Sequence, residues 1–403
     1  MDRLAVMSLH TSPLAQPGQG DSGGMNVYVR ELVAALAHTG VDCRVFVRRW
    51  NEDLPDVVEV EPGFRVEHIR AGAVDLSKEQ LPDHVGEFTD EVGRRLEADP
   101  VDAIHANYWL SGVAGHRLKH ELDLPLVSTF HTLARVKAET GDPEPDRRVR
   151  AETDVIRCSD AILANAAAEA EQLIRLYDAP AERIWIVPPG TDHAVFAPGP
   201  QSGAREALGL GSGPLALFVG RIQPLKGIDV AVRAVAASRH KDLQLVAIGG
   251  ASGVDGPAEL ARVRTMIDDL GIADRVRFID PQPHHILSTW YRAADLMLVP
   301  SRSESFGLVA LEAGACGLPV VAAAVGGLRT LVEDGNTGFL IDERDPARYA
   351  SAIDRIIDTP TLAAALRSRA AHRAADYTWT GAAESLRELY EVIIAGALVE
   401  CGV

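Results

Sequence analysis

The chain has few lysines. Of its 40 Lys and Arg in 403 residues, only five are lysine: Lys78, Lys119, Lys137, Lys226 and Lys241. With 57 Asp and Glu, the formal net charge is −17. That balance argues against a general nucleic-acid binder, which carries a basic footprint. It leaves room for a local cationic pocket, in which each scarce lysine matters. No apolar run approaches the roughly 18 residues that cross a bilayer, so no stable membrane insertion is expected. The start, MDRLAVMSLHTSP, lacks a basic leader before a long apolar region and reads as a first strand, not a signal peptide. The four cysteines, Cys43, Cys158, Cys316 and Cys401, show no C-x-x-C spacing. A reduced, cytoplasmic setting is expected, without disulfide staples or a zinc site. H-E-x-x-H, Walker and G-x-S-x-G motifs are missing, which removes the chemistries that they carry.

What is present is an ordinary globular mixture, 47% hydrophobic and 24% charged, long enough for two or three domains. Strand-like apolar runs alternate with amphipathic helical runs. Strands are expected at 3–9, 42–48, 65–69, 101–105, 125–130, 160–164 and 183–187. Helices are expected at 25–38, 81–98, 109–121, 147–158 and 166–177. A Pro/Gly-rich stretch at 188–203 reads as a linker and hinge. A second series follows, with strands at 215–220, 243–249, 276–280, 296–300, 319–323 and 338–342. The fold class is therefore α/β, with two doubly wound, Rossmann-like domains of parallel strands covered by helices and facing a central cleft. The expected boundaries are 1–195, 196–379 and a terminal helix, 380–403, returning to the first domain.

Three stretches carry chemical content. The loop from Gln16 to Asn26, QPGQGDSGGMN, lies between the first strand and the first helix, where glycines let backbone N–H groups approach a phosphate. It lacks the G-x-G-x-x-G spacing of a dinucleotide site. Gly220-Arg-Ile-Gln-Pro-Leu-Lys226-Gly227 follows the first strand of the second domain. Its two cations suit a diphosphate leaving group. Glu304-Ser-Phe-Gly307-Leu308-Val-Ala-Leu-Glu312 follows the strand LMLVP and opens a helix. Its first N–H groups would face a diphosphate, and its two carboxylates would meet sugar hydroxyls. His10, Lys78, Tyr108, His131, Thr132 and Arg148 are scattered, each at or near a strand end or in a loop. Alone, each is equally well read as structural.

Together, G-R-x-x-P-x-K-G and the E-x7-E stretch resemble the retaining glycosyltransferases of family 4, with the GT-B fold, over essentially the whole chain. The lack of an Asp-x-Asp triplet agrees. SLHTSPLAQPGQGDSGGMNVYV, DLSKEQLP, YWLSG, HTLARVK and GDPEPDRRV resemble, within that family, the mycothiol-pathway transferases that join N-acetylglucosamine from UDP-GlcNAc to 1D-myo-inositol 3-phosphate. The resemblance implies donor contacts from Gln16, Pro17, Gly24, Arg221, Lys226, Gln282, Glu304, Gly307, Leu308 and Glu312. It implies acceptor contacts from His10, Asp21, Ser22, Gly23, Gly24, Met25, Asn26, Lys78, Tyr108, Thr132 and Arg148. Arg221, Lys226, Glu304 and His131 are the expected catalytic residues. No cofactor is required by the chemistry. A peripheral magnesium ion at Tyr291, Arg292 and Ala294 is implied, and a homodimer is among the expectations.

Three positions depart from the family pattern. Gln282 stands where Arg is usual, Asn107 where His is usual and Leu318 where Thr is usual. The alternatives are a sucrose-phosphate synthase-like or GDP-mannose-dependent transferase, a UDP-sugar epimerase, or a sugar-nucleotide sensor without catalysis. An epimerase would leave the E-x7-E and DLSK matches unexplained.

Overall fold

The computed structural model describes residues 1–18, 22–253 and 255–401. It divides into two compact units: Met1–Ala15 with Met25–Pro189 and Trp379–Val403, and Gln16–Gly24 with Gly190–Thr378.

The first unit is built on an eight-stranded sheet. Its strands are β1 (Arg3–Met7), β2 (Asp42–Arg48), β3 (Val57–Glu61), β4 (Phe64–Ile69), β5 (Ala103–Asn107), β6 (Leu126–Thr129), β7 (Ala161–Ala164) and β8 (Ile184–Ile186). The order is β3-β4-β2-β1-β5-β6-β7-β8. All neighbours are parallel except β3, which runs antiparallel to β4 at the edge. β3 departs from the expected all-parallel sheet. Its sequence, VVEVE, has no fully buried residue and carries two glutamates, so it lacks the continuous apolar run of a strand covered on both faces. Met7, Phe46, Ile104, Leu126 and Ile162 form the core with Phe88, Leu118 and Val155 from the covering helices. Each fully buried side chain of this size contributes roughly 1.5–3 kcal/mol. The helix Trp379–Ala395 buries Leu386, Leu389 and Tyr390. The Tyr390 hydroxyl lies 2.8 Å from His105 Nδ1 on β5.

The second unit holds β9 (Leu215–Val219), β10 (Gln244–Ile248), β11 (Val276–Ile279), β12 (Leu296–Val299), β13 (Val320–Ala323) and β14 (Gly338–Ile341). All are parallel, in the order β11-β10-β9-β12-β13-β14. That is the doubly wound arrangement, in which the chain reverses direction between its first and fourth strands. The stretch 188–203 is no loose linker. Phe196 is 2% exposed and its ring lies 6.0 Å from that of Tyr291, and Gln201 opens a helix that runs to Ala207. Among the described residues, no helix is long and apolar enough to cross a membrane.

Candidate functional site

In an open parallel sheet, ligands bind beyond the carboxyl ends of the strands where strand order reverses. In the first unit that point lies between β1 and β5, and in the second between β9 and β12. Among the described residues, expected donor and acceptor residues gather near these two edges, whereas Tyr291, Arg292 and Ala294 precede β12, at its amino end.

On the first unit, His10 follows β1, Tyr108 follows β5, and His131 and Thr132 follow β6. Tyr108 has φ 74° and ψ 156°, a backbone state that costs a non-glycine residue of order 1–3 kcal/mol. Its N–H donates to Thr129 O at 2.8 Å and its carbonyl accepts from Gly112 at 2.9 Å, which holds the strained turn. The Tyr108 ring lies 4.2 Å from that of His10. Lys78 Nζ and Arg148 Cζ each lie 5.0 Å from its centroid, within cation–π reach. Two positive charges thus stand over one aromatic ring at the sheet edge.

Arg148, 3% exposed, is fixed from several sides. Its Nε donates to Glu152 at 2.7 Å, and its Nη2 donates to Thr132 O at 2.9 Å and Oγ1 at 3.0 Å. Glu144 pairs with Nη1 at 2.8 Å. Burial opposes its charge, but Tyr108, Glu152 and Glu144 together raise its pKa. Glu152 is fully buried and also accepts from Ala134 N at 2.9 Å and from the Tyr177 hydroxyl. Burial tends to raise the Glu144 carboxyl, but Arg148, Lys137 and Lys78 pull it below its ordinary value.

His131 also has a left-handed backbone, φ 61°. Its Nε2 lies 2.8 Å from Asn107 Oδ1. An amide oxygen only accepts, so Nε2 carries the proton. Desolvation lowers the pKa of His131 to about 3, with His105 adding repulsion. The ring is therefore neutral at physiological pH. Asn26, only 2% exposed, donates to Thr11 Oγ1 at 2.6 Å and Ser12 O at 2.5 Å. It holds the loop after β1 to the start of the helix Gly24–His38, and Met25 packs its side chain against the core. Asp21 lies outside the described residues.

Ser22, Gly23 and Gly24 belong to the second unit, together with Gln16 and Pro17. They stand with the donor residues. Gln16 Nε2 is 3.5 Å from Gln282 O, and Gly18 N donates to Ser22 O at 2.9 Å. A Cβ on Gly23 would lie 3.3 Å from Arg221 Nε, and one on Gly24 would lie 3.7 Å from Leu308 Cδ1. Lys226 Nζ donates to Glu304 Oε2 at 2.7 Å, and Ser301 Oγ donates to the same oxygen at 3.3 Å. Gly227 (φ 72°) leaves no room for a side chain, since a Cβ would stand 2.1 Å from Pro300 O. This packs the Lys226 turn against the end of β12. Gly307 (φ 103°) caps the helix Leu308–Ala315, whose first N–H groups have no partner within the helix.

Glu312 is 5% exposed and accepts from the Tyr291 hydroxyl at 2.9 Å. Burial, with Glu312 beside it, pushes the Tyr291 pKa well above its ordinary value. Of the three residues expected to hold magnesium, Ala294 offers a carbonyl that is already engaged. Ala294 O already accepts from Arg367 Nη2 at 2.7 Å and Gln201 Nε2 at 3.0 Å. A guanidinium on that oxygen opposes a divalent cation there.

Glu144, Glu152 and Tyr177 were not among the expected residues. Arg148 and Glu152, four residues apart on the helix Asp146–Cys158, form the spacing that could have found Glu152; Glu144 precedes that helix and has no such signal.

Two family models match the chain: "Glycosyl transferase 4-like domain" over residues 23–190 and "Glycosyl transferases group 1" over residues 204–373. The D-inositol 3-phosphate glycosyltransferase of Acidothermus cellulolyticus is 46% identical, covering 98% of this chain and 91% of that protein. The chain is a family 4 glycosyltransferase. The transferase is 45% identical to the protein of the same name from Thermobispora bispora, covering 97% of this chain and 94% of that protein. Among solved structures it resembles the sucrose-phosphate synthase of Thermosynechococcus elongatus, with TM-score 0.92, 32% identity and coverage of 98% and 100% of the two chains. Anabaena HepE in complex with UDP and glucose shares the fold at TM-score 0.79 and 21% identity, covering 97% of this chain and 100% of that one. The transferase therefore has the GT-B fold class, with two parallel-sheet Rossmann-like domains.

Proposed function

We propose that the chain transfers N-acetylglucosamine from UDP-GlcNAc to 1D-myo-inositol 3-phosphate, releasing UDP and retaining the anomeric configuration. The observation that carries this reading is the pair of cations, Lys78 and Arg148, over the Tyr108 ring at the reversal point of the first sheet. A phosphate monoester dianion is recognised by such paired, charge-assisted donors. The printed names of the relatives point to the same acceptor.

In the reaction, the bond from the sugar C1 to the diphosphate oxygen breaks and a bond from C1 to an inositol oxygen forms on the same face. The departing phosphate oxygen takes the inositol hydroxyl proton. Arg221, Lys226 and the helix N-terminus after Gly307 stabilise the charge that grows on the diphosphate. Glu304, oriented by Lys226 and Ser301, holds sugar hydroxyls. His131, neutral and turned by Asn107, positions by hydrogen bonding and not by charge.

Proton NMR of the isolated product tests donor and stereochemistry together. An α-linked N-acetylglucosaminyl inositol phosphate supports the reading, and a β-linked product or another sugar contradicts it. The 0.92 TM-score to sucrose-phosphate synthase favours one second reading, a ketose phosphate as acceptor. Fructose 6-phosphate is the compound that tests it.

A further inference from the structure

Away from both sheet edges, four side chains distant in sequence converge in the first unit. His116 and His120 lie one turn apart on the helix Trp109–Leu122. Cys158 ends the helix Asp146–Cys158, and Cys401 follows the helix Trp379–Ala395. One ligand atom from each lies within 4.8 Å of all the others. In the structure the two sulfurs are joined as a disulfide, with a Cα–Cα distance of 5.4 Å across 243 residues. The pairing departs from the expectation of four dispersed, reduced cysteines.

A disulfide does not account for the histidines. His120 Nε2 lies 3.3 Å from Cys401 Sγ and 3.9 Å from Cys158 Sγ, and His116 Nε2 lies 3.7 Å from Cys401 Sγ. Ligand bonds of about 2.3 Å to sulfur and 2.0–2.1 Å to nitrogen set a nitrogen–sulfur tetrahedron edge of about 3.6 Å. The three distances bracket that edge. Two histidines at i and i+4 present their nitrogens on one helix face, a spacing that suits zinc. A two-sulfur, two-nitrogen tetrahedral set selects zinc among common metals.

The surroundings support a built site. Asp160 Oδ1 accepts from Val399 N and from Lys119 Nζ, each at 2.7 Å. Lys119 Nζ also donates to Cys158 O at 2.9 Å. One buried ion pair thus anchors both cysteine-bearing segments.

We propose that His116, His120, Cys158 and Cys401 form a structural site for one zinc ion. The ligand form is the reduced pair: a thiol reductant supplies the two electrons and two protons that open the disulfide and is itself oxidised to a disulfide, after which zinc binding converts the two thiols to thiolates and releases two protons, and both imidazoles stay neutral. The ion's double charge is balanced by the two sulfurs. The sulfurs separate to about 3.8 Å, the sulfur–sulfur edge for such bonds. The ion ties the C-terminal ends of two helices to the tail. The opposite ends of those helices carry Tyr108 and Arg148, so the clamp fixes the distance between two members of the acceptor pocket.

The test is metal analysis of the full chain purified under reductant, followed by cobalt substitution. One zinc per chain is expected, and the cobalt form should show tetrahedral ligand-field bands with thiolate charge transfer. Cys401→Ser, close to the end of the chain, and His120→Asn, on an exposed side chain, should each lower the zinc content and weaken the charge-transfer band. Chain without zinc overturns the proposal, whether its cysteines are free or joined in a disulfide found by mass mapping after rapid alkylation. Zinc content unchanged in both variants overturns it as well. None of these readouts depends on which sugar or acceptor the enzyme uses.

Discussion

Replacing Lys78 by Gln isolates the charge assigned to the acceptor phosphate. The ammonium lies 5.0 Å from the Tyr108 centroid, an interaction worth about 0.5–1 kcal/mol at a partly exposed site. Folding should therefore change little. A hydrogen bond from the ammonium to a phosphate oxygen is worth roughly 1.5–3 kcal/mol. Its loss corresponds to a fall of roughly 10- to 150-fold in kcat/KM for inositol phosphate. Unphosphorylated inositol has no charge to lose, so its poor turnover should stay within about twofold on the same reasoning. The assay is UDP release measured against each acceptor, with the melting temperature as a control. An equal loss for both acceptors, or none for the phosphorylated one, refutes the placement of the phosphate beside Lys78.

Other expectations follow from single contacts. Lys226→Ala should lower kcat by roughly 10²–10³-fold, the size seen when one donor to a developing anion is removed, while stability changes by about 0–1 kcal/mol, because the Glu304 pair is partly exposed. Comparison of turnover with urea midpoints checks both. Gly227→Ala forces a Cβ to 2.1 Å from Pro300 O at φ 72° and should cost more than the roughly 1–3 kcal/mol of the backbone state alone, read as a lower urea midpoint. Burial raises the Glu169 carboxyl from 4.5 to about 7, against the hydrogen bonds from Asn165. The folded chain keeps that proton through a window in which the unfolded chain loses it. The stabilisation is full below pH 4.5 and is lost as pH rises through 7, by about 3 kcal/mol. Glu169→Gln should therefore flatten the pH dependence of stability and raise the melting temperature at pH 8. An unchanged slope contradicts the buried carboxyl.

The second sheet was legible because its strands are covered on both faces. LALFV, LMLV and VVAA are unbroken apolar runs that need no alternation to be seen. β3 was not legible, because an edge strand with no fully buried residue has no core face to mark it. The six-residue helix Ala134–Glu139 escaped for a different reason. Its entry is set by Ala134 N donating to Glu152, eighteen residues away, and not by periodicity. Site residues followed the same division. Arg221, Lys226 and Glu304 stand in short motifs that announce themselves. Tyr177, whose hydroxyl donates to the Glu152 carboxylate behind Arg148, is defined only by that contact. The four-residue cluster with Cys158 and Cys401 spans 285 positions between His116 and Cys401, so spacing along the chain says nothing about it. The fold of the first sheet creates that cluster.

The most direct test of the central claim is UDP release from UDP-GlcNAc with and without 1D-myo-inositol 3-phosphate. Fructose 6-phosphate, free inositol and GDP-mannose serve as comparisons. The account requires release that depends on inositol phosphate and fails with free inositol. Release that proceeds equally well with free inositol, or only with fructose 6-phosphate or GDP-mannose, contradicts it.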